Sequence, residues 1–142
     1  MSLEKLLSEN RIEAISFDRN LIKKSINRGV RDLKASKAVF KTEEYDWCLA
    51  IAYNTMLQAG RALIFSKGYR PKGEYQHLSV IEFVHSEFGD KISSKMIKLF
   101  DNFRKKRNKI IYEEYDIVSV DEAEEAIKFA EEFINKVKEI VK

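Results

Sequence analysis

From Tyr45 to Lys67 the chain is apolar nearly all the way round a helix, with Trp47, Leu49, Ile51, Met56, Leu63 and Phe65 pointing in every direction. A helix without a polar face must be surrounded by others, so this segment is expected at the centre of a helical bundle. Gly60 and the alanines around it let neighbouring helices come close. Thr42 is the N-cap candidate at its start, with Glu43 and Glu44 in the first turn, and Gly68 closes it as the left-handed residue past the end.

The rest of the chain supplies the surrounding helices. One Pro and five Gly in 142 residues leave long unbroken segments. Leu3, Leu6 and Leu7 mark a short amphipathic piece near residues 2–10. Asp18 is the N-cap candidate for a helix in which Ile22, Ile26, Gly29, Leu33, Ser36 and Phe40 repeat at alternating steps of four and three. Tyr69 to Gly73 reads as an ordered turn, because Pro71 holds Arg70 extended. Residues 76–88 form a shorter helix ended by Gly89, and a basic helix runs from about Ser93 to Tyr112. After an acidic connector over 113–119, Ser119 and Glu122 form a capping box for a last helix with apolar residues at heptad spacing. The expected fold is all-α, an up-and-down antiparallel bundle of four main helices plus one or two short ones, in a single domain spanning 1–142.

Composition narrows the function classes. Hydrophobic residues make up 44% and charged residues 35%, as in a globular domain. Cys48 stands alone in an apolar run, which rules out a disulfide framework or cysteine metal site within one chain. No apolar run reaches the ~18 residues of a membrane span, and the first residues lack a secretory signal's apolar stretch, so the expected location is cytoplasmic. The net charge of +3 hides an asymmetry. Residues 91–109 carry eight Lys/Arg against Asp101 alone, whereas residues 113–142 carry ten Asp/Glu against four Lys. The two helices either neutralise one another or leave a basic patch for an anionic partner.

Within the basic helix, Met96, Phe100, Phe103, Arg107 and Ile110 follow a core-facing period. A guanidinium on that seam keeps its charge and needs acceptors, so Arg107 is either paired inside the protein or aimed at a phosphate, ligand or second subunit. Asn108, Tyr112 and Tyr115 are its neighbours. No glycine-rich phosphate loop or nucleophile elbow is present. His77 and His85, eight residues apart on one helix, lie about 12 Å apart along its axis, too far for one metal. Neither a metal nor another cofactor is expected.

Three segments, in order, resemble the HEPN domain family: Tyr45 to Leu63, which is similar to its central helix; Lys67 to Lys72 with His77 downstream, similar to its loop and next helix; and Arg107 to Asp116, similar to its arginine-plus-polar signature. The resemblance implies a bundle that dimerises, often beside a minimal nucleotidyltransferase. It also implies, in catalytic members, an arginine and a histidine five residues on that cleave RNA without a metal in a cleft between subunits. Arg107 and Asn108 match the first two positions, and Tyr112 stands where the histidine would be. The tyrosine that some members present for nucleotidylation would fall at Glu114, and Tyr115 is one residue late. Histidine ionises near neutrality and tyrosine near pH 10, so the substitution removes the family's acid–base group.

The leading expectation is therefore a nucleotide- and RNA-binding interaction module, homodimeric and paired with a nucleotidyltransferase in a toxin–antitoxin-like system. Its binding residues are Arg104, Arg107, Asn108 and Tyr112. The alternatives are a metal-independent endoribonuclease acting through Arg107 with Tyr112 or His77, and a bundle in which Arg107 only forms salt bridges.

Overall fold

The computed structural model describes residues 1–142. It contains α1 (Leu3–Ser8), β1 (Ile12–Ala14), α2 (Arg19–Phe40), α3 (Tyr45–Ser66), β2 (Tyr69–Pro71), α4 (Gln76–Phe88), α5 (Ser94–Tyr112) and α6 (Val120–Val141). The fold is an all-α bundle carrying one two-stranded ribbon.

Local chemistry sets the helix starts. Asp18 accepts from the Asn20 amide at 2.9 Å, and Ser93 accepts from Met96 at 3.2 Å. Ser119 and Glu122 cap each other reciprocally. Gly68, at φ 82°, takes the left-handed turn after α3.

α3 is the central helix, with fourteen of its 22 residues buried and neighbours in α2, α4, α5, α6 and β2. Two glycines allow this crowding. A Cβ at Gly60 would lie 2.5 Å from Val80 Cγ1, and one at Gly29 would lie 2.6 Å from Ile134 Cδ1. The Gly29 carbonyl also accepts from buried Thr55 Oγ1 at 2.9 Å, fixing α2 on α3. Rings of α5 and α6 finish the core, Phe100 on Phe133 at 5.3 Å and Phe103 on Phe129 at 5.9 Å. Cys48 is buried, and its thiol, donating to the Ser36 carbonyl at 3.4 Å, is pushed up to about 11 by burial.

Three expectations are corrected. Residues 69–73 are not merely a turn: Tyr69–Pro71 pairs antiparallel with Ile12–Ala14, Glu13 opposite Arg70. Pro71, which lacks an N–H, is tolerated because a two-stranded ribbon is all edge. Thr42 does not cap α3. Its hydroxyl donates back to the Val39 carbonyl at 2.7 Å and finishes α2, while Glu44 occupies the N-cap position without a side-chain bond. Nor do Glu43 and Glu44 lie in the first turn of α3, which starts at Tyr45; the acid there is Asp46. Its carboxylate accepts from the backbone amides of Asp116, Ile117 (3.1 Å) and Val118 (3.0 Å), pinning the connector after α5.

Candidate nucleic-acid interface

Arg107 sits one turn beyond buried Phe103, half-buried, where α5 leaves the core. Its Nη1 donates to Asn108 Oδ1 at 3.4 Å, and no ion pair of the molecule includes it. Arg104 differs. Its Nε and Nη2 reach Asp101 Oδ1 at 2.9 and 2.8 Å, which fixes the guanidinium and half neutralises it. Tyr112 is 74% exposed at the last position of α5. An ideal helix would turn it roughly 140° away from Arg107, yet Arg104, Arg107, Asn108 and Tyr112 all line one cleft of about 260 Å³. The structure brings all four predicted site residues together.

His77, from α4, lines the same cleft. Its Nδ1 shares a hydrogen bond with the hydroxyl of Tyr53 at 3.3 Å, and the two rings are 5.7 Å apart. Burial, then the charges of Arg107, Arg61 and Arg104, lower its pKa to about 4. The imidazole is therefore neutral at physiological pH. Burial also pushes the Tyr53 phenol far up, so Tyr53 keeps its proton.

Arg107 and His77 also line a neighbouring cleft of about 470 Å³, which adds Arg28 and Arg31 from α2 and Asn54, Gln58 and Arg61 from α3. None of these arginines forms an ion pair. Asp32 is the one carboxylate lining it, and burial raises its pKa despite Arg28 and Arg31. Burial followed by Arg28 lowers the pKa of Arg61. An arginine stays charged regardless, so the shift marks an under-solvated cation suited to an anion.

The acidic α6 does not cancel this charge. One bridge joins it to α5, Lys106 to Glu122 at 3.2 Å, while Glu131 pairs with Lys37 of α2. The basic patch is open on the α2–α3–α5 side.

Sequence reasoning missed Arg28, Arg31, Gln58 and Arg61. One signal was available: Asn54, Gln58 and Arg61, at steps of four and three, form a narrow polar stripe on the helix read as apolar all round. No group of three His, Cys, Asp or Glu side chains is arranged to hold a metal ion. No helix is long and apolar enough to cross a membrane.

"Putative toxin MJ0142" of Methanocaldococcus jannaschii is 27% identical over 131 residues, which cover 90% of this chain and 86% of that protein. The HEPN domain family model matches residues 22–140, from the second turn of α2 to the end of α6. Central helix, loop and arginine-bearing helix all fall inside the match, and the chain belongs to the HEPN domain family.

Proposed function

We propose that this HEPN chain binds RNA and nucleotides through the groove of Arg104, Arg107, Asn108 and Tyr112, as a homodimer paired with a nucleotidyltransferase in a toxin–antitoxin-like system. One observation carries the reading: a half-buried Arg107 with no carboxylate partner, set among further unpaired arginines. Phosphate is the anion that such planar donors grip best. The name of the archaeal relative supports a toxin-type role. With Tyr112 at the histidine position, binding rather than cleavage is the activity expected.

The test is titration of a short oligoribonucleotide at several salt concentrations. Apparent affinity should fall steeply as salt rises, with a log–log slope of about −0.7 per phosphate neutralised on a single strand. Arg107→Ala should weaken binding about tenfold and flatten the slope. A flat salt dependence, or unchanged binding by Arg107→Ala, would refute the reading.

A second reading, metal-independent endoribonuclease, is favoured by neutral His77 in the Arg107 cleft. An imidazole there could take a proton from a ribose hydroxyl, although a pKa near 4 makes it a weak base. RNA incubated in chelator with wild type, Arg107→Ala and His77→Ala separates the readings. Cleavage lost in both variants would establish the enzyme.

A further inference from the structure

The largest cleft of the molecule adjoins the Arg107 groove on its α2–α3 side and encloses about 810 Å³. That falls in the range of small-ligand sites, roughly 300–1,000 Å³. Arg28, Gln58 and Arg61 line both this cleft and the one holding Arg107. Gln58 is 6% exposed, yet its side-chain amide has no hydrogen-bond partner in the chain. No fully enclosed side-chain polar atom lacks a partner, so that amide is open to the space where the two clefts meet at Gln58. Its N–H donors and its carbonyl acceptor are thus held in place by a buried stem and left free for a ligand, in exchange for water.

The chemistry of the walls specifies that ligand. A glutamine amide holds a donor beside an acceptor, which matches the edge of a nucleobase. Phe17, 59% exposed, stands on the cleft wall and offers an aromatic face for stacking. Arg28 and Arg61 lie near one another without an ion pair, which suits a phosphate. Base edge, base face and phosphate donors occur in one cavity.

We propose that this cleft is a nucleotide subsite: it takes one nucleoside monophosphate, free or as one unit of an RNA strand, with the base edge on Gln58, the base face on Phe17 and the phosphate at Arg28 and Arg61. The subsite rests on the reading of this face as a nucleotide- and RNA-binding surface, and extends that surface beyond Arg107.

The test is calorimetric titration of the full chain with adenosine and uridine monophosphates, ribose 5-phosphate and a short oligoribonucleotide. Nucleoside monophosphates should bind about tenfold or more tightly than ribose 5-phosphate, because only they reach the glutamine. Gln58→Leu should abolish that difference, and Phe17→Ala should weaken nucleotide binding about tenfold. Should Gln58→Leu fail to fold, exposed Phe17→Ala decides alone. Equal binding of nucleotides and ribose 5-phosphate by wild type overturns the subsite, as does a folded Phe17→Ala that binds like wild type. Arg107→Met distinguishes the two proposals. Oligoribonucleotide binding that needs Arg107 but ignores Phe17 and Gln58 sinks the subsite alone. Mononucleotide binding that needs Phe17 and Gln58, with no oligoribonucleotide bound, keeps it as a free-nucleotide site and sinks the RNA reading.

Discussion

Arg107 leaves the core at the point where Phe103 is the last fully packed side chain of α5, and a 3.4 Å bond to Asn108 is all that holds its guanidinium. Around it the residue-scale electrostatics are one-sided. His77 has Arg107, Arg61 and Arg104 near it and Tyr53 on its Nδ1, with no carboxylate among the causes of its shift. Its depressed pKa has a consequence for stability. Unfolded, the ring takes a proton below its ordinary value of 6.5; folded, it refuses one until about 4. The favourable contribution is complete above pH 6.5 and is lost as pH falls toward 4. With the cleft side open to water, the loss should be about 2 kcal/mol. An NMR titration should place the His77 ring near 4, and His77→Gln should unfold with a flatter acid dependence between those limits. A His77 midpoint above 6 would contradict the packing described.

At the scale of elements, the connector between α5 and α6 depends on a single carboxylate. Three consecutive amides, Asp116 to Val118, converge on Asp46 in the first turn of α3. Asp46→Ala should cost about 1–3 kcal/mol and speed hydrogen exchange at Ile117 and Val118 more than in the middle of α3. Unchanged exchange at those amides would show that the clamp does not order the segment. This anchor could not be read from the sequence, since its partners lie seventy residues away. Helix starts were legible wherever a Ser or Asp side chain caps its own turn, as at Asp18, Ser93 and Ser119. Thr42 misled because a hydroxyl before a helix can equally close the helix behind it. The ribbon was hidden because three-residue strands are too short to show a period. The candidate site divides in the same way. Arg104, Arg107, Asn108 and Tyr112 were legible because one helix carries them, while Arg28, Gln58 and Arg61 gain meaning only when α2 and α3 are laid side by side.

Across the whole molecule, charge and packing are arranged on opposite principles. The core is built around α3, which every other long helix touches, whereas positive charge gathers on one side and α6 leaves it largely uncancelled. Because packing is collective, damage anywhere near α3 should be felt everywhere. Leu63 is fully buried, and Leu63→Ala should cost about 2–5 kcal/mol. Chemical denaturation of the variant should show one transition, shifted to lower denaturant and with unchanged slope. A biphasic curve would mean that the bundle comes apart in sections.

Cys48 offers an independent view of that cooperativity. It is the chain's one thiol, fully enclosed between α3 and the Ser36 carbonyl, and held protonated by its surroundings. A maleimide can reach it only when the helices part. Its labelling rate is thus a clock for excursions out of the native state, readable in plain buffer and without an added dye.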